Sequence, residues 1–178
     1  MSFNPFPISE YLSILQRLLT PNDILEGVED IPHEHLFSRG FNTMLLDVDN
    51  TILPYHQKKI SLQYINWIQK IKSFGFTVFL VSNNSSHKRI KTACLQTELT
   101  GLYFAMKPFV FSAKELIEDH GLEAEKCIVV GDQLLTDVIL GNWLRAHTVL
   151  VDPLGKKLSF VKTVQRETEL FLLRKFGD

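Results

Sequence analysis

Met44-Leu45-Leu46-Asp47-Val48-Asp49-Asn50-Thr51 decides how this chain is read. A short apolar run that stops on a carboxylate is what a strand buried on both faces looks like, with polar residues gathered at its carboxyl end. Residues 42–47 are therefore expected to form a strand. The pattern recurs along the chain. Phe76 to Val81, β-branched and aromatic, ends in Ser82-Asn83-Asn84. Leu102-Tyr103-Phe104 precedes Lys107-Pro108. Cys127-Ile128-Val129-Val130 ends in Gly131-Asp132, with Asp137 a turn further on. A fifth strand is expected over 147–151.

Between these runs the spacing predicts helices. Residues 61–74 set Leu62, Ile65, Ile68 and Ile71 on one face and stop at Gly75. Ser85 or Ser86 is placed to cap a helix over 87–97. Residues 110–120 close at Gly121, and 134–145 form the next helix. Trp67 and Trp143 fall within these helices and are expected in the core. Strands alternating with helices predict a three-layer α/β/α, Rossmann-like domain with a parallel five-stranded sheet. Numbered along the chain, the strands are expected in the order 3-2-1-4-5. Residues 8–19 read as a helix stopped by Pro21. Residues 22–40, with Gly27, Pro32 and Gly40 among mixed charges, read as a loop or short helix. The expected organisation is an N-terminal helix and loop over 1–40, packed on or near a domain over 41–178 that closes with a helix at 160–176.

Composition bounds the function. The chain has 178 residues, 45% hydrophobic and 22% charged, which suits one globular domain and excludes bulk disorder. Lys and Arg total 19 against 20 Asp and Glu, so no nucleic-acid partner is expected. Cys94 and Cys127 form no close pair and lie beside no histidine cluster, which argues against a zinc site or a disulfide framework. They read as small buried hydrophobes in a reducing compartment. No apolar run approaches the roughly 20 residues of a membrane span. The N-terminus lacks the basic stretch of a secretory signal. A cytoplasmic location is expected, with peripheral contact at the inner face of a membrane left open.

In parallel α/β sheets, ligands bind outside the carboxyl ends of the strands. Four polar clusters converge there: Asp47-Val48-Asp49-Asn50-Thr51, Ser82-Asn83-Asn84, Lys107, and Asp132 with Asp137. Converging carboxylates repel one another, and a bound Mg²⁺ with its preference for hard oxygen ligands relieves that repulsion. A metal, a lysine and a hydroxyl together suit a phosphoryl group. Asp47 is then placed to attack phosphorus, and Asp49 to protonate the leaving oxygen and later activate water. Taken singly, each cluster has an ordinary explanation as a turn, a helix cap or a solvated charge. Four such clusters, in the order and spacing of one mechanism, make the chemical reading the stronger one.

This constellation resembles the haloacid dehalogenase superfamily of aspartate-nucleophile phosphatases. The resemblance puts Asp47 on the nucleophile and Asp49 on the general acid/base, with the Asp49 backbone carbonyl as a metal ligand. It puts Ser82 with Asn83 and Lys107 on the phosphate-binding positions. Asp132 and Asp137 fall on the acidic motif that binds Mg²⁺, with Asp47, Asp49 and Asp132 as the ligands and Thr51 and Asp137 in support. The same motifs, with Arg166 and Glu169 near the C-terminus, are similar to the YqeG family over roughly residues 20–176. That family is related to phosphatidylglycerophosphate phosphatases, so the resemblance implies a membrane phospholipid phosphate as one substrate. Pro54-Tyr55-His56 departs from the family's usual polar residues at the substrate mouth.

The intervals 47–82 and 82–107 each have room for about one helix and one strand, so no cap domain is expected. An open site favours water as acceptor and admits a head group still attached to a larger body. The apolar face of the N-terminal helix, with Phe3 and Phe6 before it, and the basic excess over 156–178 suit either an anionic bilayer or ordinary packing on the sheet. A soluble sugar, nucleotide or phosphoprotein ester is the alternative substrate. A non-catalytic interaction protein is a further reading, although no catalytic position is lost. A receiver domain is disfavoured, because it carries its phosphoacceptor at the third strand, where this chain has Phe104-Ala105-Met106.

Overall fold

The computed structural model describes residues 8–154. The helix expected over 160–176, the charges of 156–178, and Phe3 and Phe6 lie outside the described residues. Six parallel strands form the sheet: β1 (Asp23–Leu25), β2 (Thr43–Leu46), β3 (Thr77–Val81), β4 (Thr100–Leu102), β5 (Cys127–Gly131) and β6 (His147–Val151), in the order β1-β6-β5-β2-β3-β4. The helices are α1 (Ile8–Leu19), α2 (His33–Ser38), α3 (Leu62–Phe74), α4 (His87–Thr97), α5 (Phe111–Asp119) and α6 (Ile139–Leu144).

The central strand is β2. Leu46 stands level with Leu80 of β3 and Val130 of β5, so three apolar runs end within one residue of one another and their polar successors meet. Alternation across the pleat divides the core in two. Met44, Leu46, Leu80 and Val130 face Ile68 and Ile71 of α3. Leu45, Phe79 and Val129 face Leu116 and Ile117 of α5 and Leu140 and Leu144 of α6.

The five expected strands keep the expected order, but the sheet has six strands rather than five. The additional strand lies in the segment read as a loop or short helix. Asp23–Leu25 pairs in parallel with Val149–Val151 at the sheet edge. Its three residues are only half-buried and carry no usable alternation. What fixes them is polar: Asn22 Oδ1 accepts hydrogen bonds from the Thr148 N–H at 2.8 Å and the Thr148 hydroxyl at 3.0 Å. His147 Nε2 lies 2.7 Å from Asp23 Oδ2. Val28, Ile31 and Leu36 then join the α3 side of the core.

Other differences are local. Residues 134–145 begin as a π-helical turn over Leu134–Val138 before α6. Such turns occur where the backbone is re-aimed at a functional position. Trp67 is buried as expected, but Trp143 is 48% exposed on α6, and Leu62 opens α3 facing solvent. Cys127 is buried, whereas Cys94 is half-buried; both are free thiols. Gly75 ends α3 at φ 119°, a conformation that favours glycine. Asn142 Nδ2 donates to the carbonyls of Arg17, Leu18 and Thr20, fastening the end of α1 to α6. The β2–β3 interval holds a loop and α3, and the β3–β4 interval holds α4. No helix among the described residues is long and apolar enough to cross a membrane.

Candidate active site

The parallel sheet brings Asp47, Asp49, Ser82, Asn83 and Lys107 to the wall of one open pocket of about 460 Å³ at its carboxyl edge, lined also by Asn84, Tyr55, Gln133 and Thr136 among others. Asp47 follows directly from β2, and its N–H donates to Val130 O at 2.9 Å, holding it in the sheet frame. Its side chain is buried. Oδ1 accepts from Lys107 Nζ at 2.6 Å, and Oδ2 accepts from the Thr51 hydroxyl at 2.8 Å. Between them, Asn50 turns the chain at φ 60°, a left-handed conformation that asparagine tolerates.

Lys107 is pinned by three acceptors: Asp47 Oδ1, Asp137 Oδ1 at 2.7 Å, and the Val81 carbonyl at 2.9 Å. Burial pulls its ammonium toward neutrality. Asp137 and Asp47 outweigh that, and the lysine is held above its ordinary pKa. Asp137 Oδ2 accepts from the Gln133 N–H at 3.1 Å, and its carboxylate crosses over Gly131. A Cβ at 131 would stand 2.2 Å from the Asp137 carboxyl carbon, so only glycine admits the approach.

The carboxylates of Asp47, Asp132 and Asp137 each place an oxygen within 4.8 Å of the others. One lysine does not balance three acids. Burial, then the charges of Asp47 and Asp137, raise Asp132 to about pKa 7. Burial raises Asp47 to about 6 against the opposing pull of Lys107. Asp132 Oδ1 is buried without a hydrogen-bond partner among the described residues. A buried carboxylate oxygen without a donor, beside two further acids, fits a hard divalent cation. Asp49 does not bring its carboxylate to this group; its expected part in metal binding rests on its backbone carbonyl.

The Asp49 carboxylate is engaged elsewhere. Oδ1 accepts from Arg89 Nε at 2.7 Å, while Oδ2 accepts from Ser82 Oγ and Asn84 Nδ2, both at 3.1 Å. The Ser82 hydroxyl therefore points at Asp49, and binding an anion would exchange that bond. Asn83 clamps the lysine loop with both ends of its amide: Oδ1 accepts from the Lys107 N–H at 2.6 Å, and Nδ2 donates to the Lys107 carbonyl at 2.8 Å.

Arg89 is the residue that sequence reasoning missed. Besides Asp49 it donates to the carbonyls of Pro54 (3.1 Å), Leu53 (3.4 Å) and Gln57, fastening the 53–57 loop to α4. The available signal was electrostatic. Lys88 and Arg89 open α4 with no acid in the first turn, against the preference of a helix N-terminus for negative charge. Arg89→Ala should release the loop and speed tryptic cleavage at Lys58 and Lys59 by about tenfold. Arg89→Lys, lacking the fork, should protect only in part. Unchanged cleavage in both variants would show the loop to be held by other contacts.

The parallel sheet and its acidic carboxyl edge define a haloacid dehalogenase-type fold, and solved structures agree. A cobalt-bound deoxy-D-mannose-octulosonate 8-phosphate phosphatase from Haemophilus influenzae superposes with TM-score 0.52 at 14% identity, over 78% of this chain and 90% of that one. A HAD family enzyme from Bacteroides thetaiotaomicron, solved as a magnesium complex, gives 0.51 at 12% identity, over 69% and 98%. The family model described as mitochondrial PGP phosphatase matches residues 10–154, and the chain belongs to that phosphatase family. It is 30% identical over 160 residues to "Probable phosphatase YqeG" of Bacillus subtilis, covering 90% of this chain and 92% of that one. It is 26% identical over 170 residues to the chloroplastic/mitochondrial phosphatidylglycerophosphate phosphatase 1 of Arabidopsis thaliana, covering 90% of this chain but 49% of that one.

Proposed function

We propose that this phosphatase hydrolyses a phosphomonoester in the presence of Mg²⁺ through an aspartyl phosphate on Asp47, and that its substrate is phosphatidylglycerophosphate. The observation that carries the catalytic part is the setting of Asp47. One oxygen is held by Lys107 and the other by Thr51, so the carboxylate is fixed at the pocket wall beside the acidic group of Asp132 and Asp137.

Asp47, Asp132 and the Asp49 carbonyl would hold the ion, with Asp137 in support. When bound, Mg²⁺ supplies positive charge to the phosphoryl oxygens and to the crowded carboxylates. The remaining work falls to the chain's own groups. Lys107 and the Ser82 hydroxyl bind the phosphoryl oxygens. Asp47 attacks phosphorus. Asp49 gives a proton to the leaving oxygen and afterwards takes one from the water that opens the acyl phosphate. Asn83, by clamping Lys107, is a positioning residue.

The pocket is open, and the intervals where a lid would be inserted hold a loop with α3, and α4. An open pocket leaves water as the acceptor and admits a head group still embedded in a bilayer. The family model and the Arabidopsis relative favour the lipid over a soluble ester. Phosphate release from phosphatidylglycerophosphate in mixed micelles, compared with a panel of sugar, nucleotide and phosphopeptide esters, tests both parts. Preference for the lipid supports the reading. Preference for a soluble ester removes the lipid and keeps the chemistry. No release from any ester removes the chemistry.

Metal binding carries its own pH signature. Asp47 and Asp132 titrate at about 6 and about 7 in the folded, metal-free protein. In the unfolded chain they titrate near 3.9. Between those values the folded state holds protons that the unfolded chain releases, so metal-free stability falls as pH rises through the window. Mg²⁺ needs the ionised carboxylates. The rise in Tm on adding Mg²⁺ should therefore be larger at about pH 7.5 than at about pH 5.5. Equal increments at both would place the ion elsewhere.

A further inference from the structure

The loop that delivers Lys107 also carries a dense exposed apolar cluster. Tyr103, Phe104, Met106, Phe109 and Phe111 are each between 46% and 73% exposed, while Ala105 and Lys107 between them are buried. Phe104 and Met106 sit at φ 50° and 56°, left-handed conformations that bulky residues rarely adopt. Such backbone persists only where its surroundings enforce it. Here they do: the Phe104 N–H donates to Asn84 O at 3.1 Å and the Ala105 N–H to Ser82 O at 2.9 Å, while Asn83 clamps Lys107. In this anchored loop Lys107 lines the site while Phe104 and Met106 stand exposed to solvent.

A second cavity of about 460 Å³ shares Tyr55 with the first. Lys58, Lys59, Lys88 and Arg89 line it, and its lining contains no Asp or Glu. Arg89 is paired with Asp49, but the three lysines have no carboxylate partner among the described residues. In a chain of net charge −1 this local excess does not follow from composition. The Tyr103 ring meets the His87 ring edge-on at 4.9 Å, so the aromatic loop and the start of α4 adjoin.

Exposed aromatics on the loop that carries Lys107, and unpaired lysines in a cavity that shares Tyr55 with the site, match a surface that is apolar below and anionic at the head groups. We propose that the 103–111 loop and the Lys58/Lys59/Lys88 cluster form one docking surface, which seats the mouth of the site on an anionic lipid bilayer. This rests on the phosphatase reading and places the membrane contact at the catalytic edge rather than at the terminal helices.

The test uses the full chain with vesicles of phosphatidylcholine, with and without phosphatidylglycerol, and para-nitrophenyl phosphate as a soluble ester. The wild type should co-sediment with the phosphatidylglycerol vesicles and be released by salt. F109S/F111S and K58E/K59E should each weaken vesicle binding by about tenfold while hydrolysing the soluble ester at the wild-type rate. Absence of wild-type binding, or equal binding by both variants, would overturn the proposal. So would a change from oligomer to monomer in F109S/F111S, which would make the patch an interface between copies. Vesicle binding without hydrolysis of any ester would uphold the docking surface and sink the phosphatase reading alone.

Discussion

Asp47→Asn should lower turnover by at least about 10⁴-fold, or roughly 5.5 kcal/mol of barrier, while leaving a folded protein. The effect is large because the change removes the anionic carboxylate that attacks phosphorus, for which Thr51 and Lys107 supply only orientation. The fold should survive. An amide at 47 still offers Lys107 an oxygen, and it removes one of the three carboxylates that crowd the site. Steady-state rates with a soluble ester, together with thermal unfolding, check both halves. Activity within about tenfold of wild type would exclude Asp47 as the nucleophile.

Lys107→Met should be the most damaging change to stability among the site residues. The lysine is the cation shared by Asp47 and Asp137 at 2.6 and 2.7 Å, with its side chain only 3% exposed. Removing one partner of a buried ion pair costs about 3–5 kcal/mol, because the other charge is left uncompensated. Here two acids lose their counter-charge, and Asp132 already stands at about pKa 7 through burial and its acidic neighbours. Without the lysine the carboxyls would hold their protons to still higher pH. The folded variant then retains protons that the unfolded chain gives up, and its stability falls as pH rises from about 5 toward 8. The loss relative to wild type should therefore be largest at the alkaline end and should shrink on acidification or on adding Mg²⁺. Denaturant melts at three pH values check this. A loss independent of both pH and metal would mean that the lysine matters for its volume rather than its charge.

Much of the fold was legible because buried parallel strands announce themselves as apolar runs with polar stops. Met44-Leu45-Leu46-Asp47 and Cys127-Ile128-Val129-Val130-Gly131-Asp132 are such runs, and they end level in the sheet, Leu46 beside Val130. β1 was illegible because it has three residues, no alternation, and a position set by Asn22 and Thr148 rather than by apolar burial. The third strand was placed too late, over Leu102-Tyr103-Phe104. Pairing runs Thr100–Leu102, and at φ 50° Phe104 has already left the strand for the Lys107 loop. The π turn over Leu134–Val138 was hidden by helical spacing; it accompanies the Asp137 carboxylate over Gly131 to the Gln133 N–H.

The site was legible in its residue types and order, since each of its polar clusters follows one strand. Its wiring was not. That Ser82 and Asn84 both turn to Asp49, that Asn83 holds Lys107, and that Arg89 closes the group from a helix all depend on side-chain directions at a loop edge. The pairing of Asp132 with Asp137 at one strand end was legible, and the structure brings the Asp137 carboxylate into the same group as Asp47 and Asp132.

The central claim is a covalent phosphoryl group on Asp47. Its most direct test is acid-quenched turnover of a labelled phosphomonoester in Mg²⁺, followed by peptide mapping of the protein-bound label. The account predicts acid-stable, alkali-labile label on the peptide containing Asp47, lost in chelator and absent from Asp47→Asn. Sustained phosphate release with no protein-bound label, or label on a peptide without Asp47, would contradict it.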